Sequence, residues 1–159
     1  MSTLPQLVEQ DIQRLGDFLR ELLEQTEATT ALVIDKGGFL ITSQGSTRQF
    51  DLTTIAALAS GAYLANQTMA NLVHETNFNS VYQQGQNFSM LILCVDEYCL
   101  LVVIFAAQIS VGAVKYFALP VAGRIADQMR IARERDPGAG LDLSVLNLAD
   151  TAEVFKKKA

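Results

Sequence analysis

The sequence predicts an α/β (α+β) fold in which one five-stranded antiparallel sheet lies between helices. Residues 89–95 and 99–105 are almost continuously apolar, as expected of central strands that are covered on both faces. Three segments with helical periodicity stand at the start, the middle and the end of this region, and shorter β-branched runs separate them. The predicted order is α-β-β-α-β-β-β-α over residues 1–136, which leaves 137–159 as a C-terminal tail with the pattern of a short helix.

Periodicity defines the first three elements. Residues 4–24 repeat apolar side chains at helical spacing, with charged residues on the opposite side, which predicts an amphipathic helix. The β-branched run 30–34 and the apolar run 39–42 flank Asp35-Lys36-Gly37-Gly38. Two strands around a turn that contains glycine are typical of a hairpin.

The next segment, residues 52–73, predicts a helix that carries no charged residue, with Asp51 or Thr53 as its N-cap. A helix on a protein surface normally carries charge on its solvent side, so we expect the outer face of this one to contact protein. We predict that one face packs on the sheet, namely Ile55, Leu58, Ala62, Ala65, Met69 and Leu72. The opposite face is small and neutral, namely Ala57, Ser60, Gly61, Leu64 and Thr68.

The second half begins with a weak strand, 79–83, followed by the two apolar strands around the turn 96–98. Ser110 is then expected to cap a long final helix. Pro120 lies inside this helix and should kink it or divide it, because an interior proline removes a backbone hydrogen bond. Arg130, Arg133 and Arg135 stand in its last turns, where positive charge is favourable.

Composition excludes several classes of partner. The formal net charge is −5, and the only lysine run is short and terminal, at 156–158, so no clustered basic surface is available for nucleic acid. The apolar stretch 90–105 is divided by Asp96-Glu97 into runs too short to cross a bilayer. The N-terminus lacks the pattern of a signal peptide. We therefore expect a cytoplasmic protein that does not insert into membranes.

Catalytic, metal and cofactor sites are not predicted. The two cysteines, Cys94 and Cys99, lie in apolar runs and are expected to be buried thiols. His74 is the only histidine, and with the two cysteines it offers too few ligands for a metal. The turn 35–38 lacks the spacing of a phosphate-binding loop. We expect a protein that is not an enzyme, binds no cofactor and does not itself bind GTP.

Several ordered runs resemble the roadblock family, and more closely its MglB-like bacterial members. The first hairpin of that family is similar to LVIDKGG at 32–38, and its central helix to DLTTIAALASG at 51–61. Its last strand and the step into the final helix are similar to LVVIF at 101–105 and SVG at 110–112. The resemblance covers roughly residues 5–135 and implies a roadblock/profilin-like fold. The tail departs more, although LADTAEVF at 148–155 is similar to the C-terminal helix of MglB-like proteins.

The resemblance implies a homodimer. Its two central helices would lie antiparallel, and the weak strand, with Val81, Tyr82 and Gln83, would pair with its symmetry mate. A charge-free helix and a weak edge strand are both liabilities in a monomer, and such pairing would cover both.

The resemblance also implies that a Ras-like, MglA-like small GTPase docks across the paired central helices. The expected contacts are Ala57, Ser60, Gly61, Leu64 and Thr68, unless the dimer itself covers this whole face. Residues 52–73 contain no arginine, so we expect regulation without an arginine finger, by repositioning of the switch residues of the GTPase. In the tail, Val154, Phe155 and Lys156 would assist nucleotide exchange.

Two other functions remain open at this point. A roadblock scaffold would hold a GTPase-containing complex together without changing nucleotide turnover. A sensory module of the profilin-like type would enclose a small ligand in an apolar pocket.

Overall fold

The computed structural model describes residues 4–46 and 48–135. Its three helices and five strands follow the order expected from the sequence. The predicted tail and its contacts Val154, Phe155 and Lys156 lie outside the described residues. The elements are α1 Glu9–Thr26, β1 Thr30–Asp35, β2 Leu40–Gly45, α2 Leu52–Leu72, β3 Ser80–Gln84, β4 Phe88–Cys94, β5 Cys99–Ala106 and α3 Val111–Glu134.

The five strands form a single sheet in the order β2-β1-β5-β4-β3, and every neighbouring pair is antiparallel. The predicted fold class is confirmed. β5 lies at the centre, between β1 and β4, and its seven residues Cys99–Phe105 are all buried. The weak strand β3 lies at an edge, as its composition indicates.

Each face of the sheet has its own apolar core. On the first face, α1 and α3 pack side by side over alternate strand residues such as Val33, Leu101 and Phe105. On the second face, α2 alone packs over the intervening residues, such as Leu32 and Val102. The period of two along each strand therefore divides the buried side chains between two layers of different thickness.

The first helix begins at Glu9, five residues later than the periodicity predicts. The Asp11 carboxylate accepts a hydrogen bond from the Val8 amide at 2.9 Å and fixes the helix start there. Leu4 and Leu7 nevertheless pack against the first core, which explains why their spacing matches the helical pattern.

The N-cap of α2 is Asp51, whose carboxylate accepts from the Thr54 amide at 3.2 Å and from the Thr54 hydroxyl at 2.7 Å. The face assigned to the sheet was wrong. Four of its six residues, Leu58, Ala65, Met69 and Leu72, are exposed. The residues of α2 that are buried against the sheet are instead Leu52, Ala56, Ala59, Ser60, Tyr63 and Ala70.

The last helix also differs from its prediction. Ser110 is the N-cap residue, but its hydroxyl makes no capping hydrogen bond. α3 continues through Pro120 as one element, so the expected division is wrong. Among the described residues, no helix is both long and apolar enough to span a membrane.

Candidate protein-binding surface

The outer surface of α2 is apolar and lacks charge. Its exposed side chains include Leu58, Leu64 and Leu72, and Leu64 and Leu72 are 68% and 75% exposed. Large apolar side chains that stay in solvent along a whole helix are typical of a protein-binding surface. We call the residues Ala57, Leu58, Gly61, Leu64, Ala65, Thr68 and Leu72 the outer face of α2; all of them are exposed.

One flank of α2 lies against the turn between β1 and β2. The Ser60 hydroxyl donates to the Lys36 carbonyl, and the Lys36 ammonium lies 5.3 Å from the centre of the Tyr63 ring. A Cβ added at Gly38 would come within 3.2 Å of the Ala57 Cα, so the turn and the helix are in close contact. Gly38 has φ +99°, a conformation that suits glycine.

The other flank of α2 lies beside β3. Ile55 lines a cleft of about 340 Å³ together with Gln83 and Gln84. The walls of the cleft are largely apolar, and Phe50 and Phe88 meet there edge to face with ring centres 5.2 Å apart. At the opposite end of β3, the Gln67 amide lies 3.5 Å from the Phe78 carbonyl. The N-terminal half of α2 therefore lies near the end of β3, and its C-terminal half near the start.

In the part of the chain that the structure describes, β3 is paired with a strand on one side only. The Gly85 amide donates to the Phe88 carbonyl at 3.0 Å, and the register pairs Gln83 with Met90 and Val81 with Ile92. Because hydrogen-bonded pairs alternate in an antiparallel ladder, the N–H and C=O groups that point away from β4 belong to the intervening residues. These residues are Ser80, Tyr82 and Gln84.

The structure separates the predicted contact residues into two groups. Ala57, Gly61, Leu64 and Thr68 are exposed on the outer face of α2, as predicted. Ser60 is 9% exposed and its hydroxyl is bonded to the turn, so its assignment to the outer face is wrong. Of the predicted dimer residues on β3, Tyr82 and Gln83 are exposed, whereas Val81 packs against the second core.

Sequence reasoning missed Phe39. This residue follows Gly38 at the tip of the first hairpin, where its ring is 73% exposed. Its place directly after the two glycines of the turn was visible in the sequence, but nothing there identifies its ring as exposed.

The same turn is tied to the first face of the sheet. The Lys36 amide donates to the Tyr98 carbonyl at 2.7 Å. The Arg133 guanidinium of α3 lies 4.9 Å from the centre of the Tyr98 ring and 4.0 Å from the Asp96 carboxylate. The turn 35–39 thus contacts both α2 and the loop against which α3 ends.

Two titratable groups of the described region, the Cys99 thiol and the Tyr63 hydroxyl, belong to buried residues. Burial raises the pKa of the Cys99 thiol to about 12, and burial beside Cys94 also raises the pKa of Tyr63, so both groups stay protonated at neutral pH. Both cysteines are free thiols, and His74 is exposed just beyond the end of α2. Within 4–46 and 48–135, no three His, Cys, Asp or Glu side chains come together as metal ligands.

The sequence matches the family model of the Roadblock/LC7 domain over residues 15–105. The matched region runs from α1 to the end of the central strand and includes all of α2 and β3. The chain therefore belongs to the Roadblock/LC7 family.

Within this family, the chain is similar to MglB. It is 27% identical to a structure described as MglB with tetrameric arrangement, with a TM-score of 0.77, covering 83% of this chain and 99% of the other. It is 26% identical to the gliding protein MglB of Thermus thermophilus, with a TM-score of 0.75 over 82% and 98% of the two chains. For Myxococcus xanthus MglB the identity is 25%, the TM-score 0.75 and the coverage 82% and 99%. No curated protein matches this chain in sequence.

Proposed function

We propose that this protein is a cytoplasmic, homodimeric regulator of a Ras-like small GTPase, which docks across the paired α2 helices. The observation that carries the proposal is the outer face of α2, which exposes leucines and no charge in a chain similar to MglB. An isolated domain gains nothing by exposing this surface, whereas burying it in an interface stabilises a complex.

The two flanks of α2 support a particular dimer. Antiparallel pairing of β3 with its symmetry mate would satisfy the outward N–H and C=O groups of Ser80, Tyr82 and Gln84. A two-fold axis near the middle of β3 exchanges the two ends of α2. It brings Met69 and Leu72 of one subunit toward the cleft beside Ile55 of the other, so that exposed apolar side chains meet an apolar recess.

This dimer would leave part of α2 uncovered. Ile55 faces β3, whereas Ala57 contacts the hairpin turn, and the two therefore lie on opposite flanks. The part of the outer face that lies toward the hairpin, with Ala57, Gly61 and Leu64, would stay open on the assembled dimer. Both copies together would present a continuous apolar strip to the GTPase.

The proposed mechanism uses no arginine finger. α2 contains no arginine, and the nearest arginine in the sequence is Arg48, four residues before the helix. Regulation would act by binding one conformation of the GTPase switch segments more tightly and shifting the population toward it. The protein itself would then not be an enzyme, because the groups that hydrolyse GTP would belong to the GTPase.

The test is single-turnover hydrolysis of GTP by an MglA-type GTPase from the same cells, with and without this protein. We expect faster hydrolysis that Leu64→Arg abolishes, because a guanidinium at the interface would be desolvated without a partner. Leu119→Arg is the matched control, since Leu119 is 53% exposed on α3 and lies outside the proposed interface.

The same assay separates the alternatives. Arg48→Ala should leave the rate unchanged, whereas the loss of an arginine finger reduces it by about 10³-fold or more. Binding with an unchanged hydrolysis rate would replace the regulator by a scaffold. Absence of binding would refute a GTPase partner for this surface.

A further inference from the structure

Phe39 is a large aromatic side chain that contributes little to the folded core. Its ring is 73% exposed, whereas Leu40, the next residue, packs against the second core. Aromatic side chains gain stability chiefly by removing area from water, so an exposed phenyl ring at the tip of a hairpin is of little use to the isolated chain.

The backbone that carries Phe39 is held rigidly. The Phe39 amide donates to the Asp35 carboxylate at 2.8 Å, and the Phe39 carbonyl accepts from the Asp35 amide at 2.9 Å. The Gly38 amide donates to the Asp35 carbonyl at 3.0 Å. Since Lys36 is also bonded to α2 and to Tyr98, the tip cannot rotate independently of the domain. A partner that binds Phe39 therefore loses little free energy in ordering this loop.

Phe39 continues the open part of the α2 surface. Gly38, its neighbour, lies against Ala57 on the hairpin flank of α2. Leu64 follows Ala57 by seven residues, or about two helical turns, and so lies on the same side of the helix. The proposed dimer uses the opposite flank, beside β3. The sister subunit therefore does not cover Phe39, and a protein that lies along α2 on the hairpin side must pass over it.

We propose that Phe39 is an aromatic anchor for the GTPase, inserting its ring into an apolar recess of the partner that docks on α2. This inference rests on the proposed function and adds a second contact element, the β1–β2 turn, to the helix. Aromatic residues in rigid, fully desolvated positions carry a large share of the free energy of binding at protein interfaces.

The experiment measures the binding of the full-length protein to the GTP-loaded MglA-type GTPase by titration calorimetry. We expect Phe39→Ala to weaken binding by about 30-fold or more. The matched control is Tyr116→Ala, since Tyr116 is also an aromatic residue with 73% exposure but lies on α3. The Tyr116→Ala variant should bind the GTPase with the same affinity as the unchanged protein.

Two further measurements separate the loss of the Phe39 ring from a loss of folding or of assembly. Thermal unfolding of Phe39→Ala and its mass in solution should match those of the unchanged protein, because the ring is 73% exposed and lies on the side of α2 opposite to the proposed dimer contact. Gly38→Ala retains Phe39 but adds a Cβ 3.2 Å from Ala57 at a φ of +99°, which displaces the tip. We expect this variant to weaken binding as well.

The outcomes distinguish the inference from the proposed function. If Leu64→Arg abolishes binding while Phe39→Ala leaves it unchanged, the regulator stands and the anchor is refuted. If Phe39→Ala changes the mass of the assembly but not the affinity for the GTPase, the protein that contacts Phe39 is another copy of this chain, and the anchor is refuted. If the unchanged protein does not bind the GTPase, both proposals fail.

Discussion

The two faces of the sheet are covered in different ways. The first face carries two helices, whose charged side chains form ion pairs between Asp11 and Arg135 and between Glu21 and Arg124. The second face carries one helix, which has no charged side chain and exposes leucines. The first face is thus completed by the chain itself. On the second face, the described residues leave the outer face of α2 exposed to solvent.

At one end of the first face, the start of α1 and the end of α3 are joined by an ion pair between Asp11 and Arg135, whose carboxylate is buried. The Asp11 carboxylate accepts from both terminal nitrogens of Arg135 at 2.8 Å, from the Gln128 amide at 2.7 Å and from the Val8 amide at 2.9 Å. Its side chain is 1% exposed. This one carboxylate fixes the start of α1 and attaches it to the end of α3.

The largest expected effect is the loss of this carboxylate. Asp11→Ala should lower the free energy of unfolding by about 3–5 kcal/mol, because Arg135 and Gln128 lose a shared partner in a buried place. Chemical denaturation measures it. Asp17→Ala is the control, since Asp17 pairs with Arg20 at 2.9 Å on the surface, and its loss should change stability by less than about 1 kcal/mol. Equal effects would show that the first face does not depend on Asp11.

A lower pH should reduce the stability of the folded protein, because it protonates the Asp11 carboxylate on the first face. Hydrogen bonds from Arg135 lower the pKa of Asp11 from 3.8 to about 2 in the folded protein. A lowered pKa stabilises the folded state above pH 4 and withdraws this contribution as the pH falls toward 2, by about 2 kcal/mol for such a shift. Unfolding measured between pH 5 and pH 2 should show this loss. Asp11→Asn should be less stable at pH 5 and should lack this part of the pH dependence.

The smallest expected effect concerns two helical glycines, Gly61 in α2 on the second face and Gly16 in α1 on the first face. Gly61→Ala should stabilise the isolated chain by about 0.5–1 kcal/mol, since the added Cβ meets nothing within 4 Å and alanine favours the helix. Gly16→Ala in α1 should gain less or lose stability, because its Cβ would lie 3.1 Å from the Gln44 amide. Thermal unfolding measures both variants. A larger gain in stability for Gly16→Ala than for Gly61→Ala would contradict the view that the outer face of α2 is open to solvent.

The sequence predicted the sheet because its signals are local. Continuous apolar runs and a turn that contains glycine identify strands without knowledge of the rest of the chain. The attachment of α1 to α3 could not be predicted in the same way. Asp11 fixes it with partners 117 and 124 positions away, and nothing near residue 11 identifies Gln128 and Arg135.

The rotation of α2 about its own axis was also beyond the sequence. Apolar and small residues occur on every side of this helix, so its sequence pattern does not single out the buried face. The choice is made by long-range contacts, namely Ser60 with the Lys36 carbonyl and Tyr63 beneath the Lys36 ammonium. The charge-free character of the helix therefore predicted an exposed surface, and the sequence placed Ala57, Gly61, Leu64 and Thr68 on it. It wrongly included Ser60 and assigned the exposed residues Leu58, Ala65 and Leu72 to the sheet side.

The position of the β1–β2 turn has a consequence for communication within the molecule. The Ser60 hydroxyl donates to the Lys36 carbonyl, and the Lys36 amide donates to the Tyr98 carbonyl. The Arg133 guanidinium lies over the Tyr98 ring. These polar contacts run around the end of the sheet, from α2 to the last turns of α3. The turn thus joins the helix on one face to the last turns of a helix on the other through polar contacts, so a change that displaces the turn would disturb the surroundings of both helices.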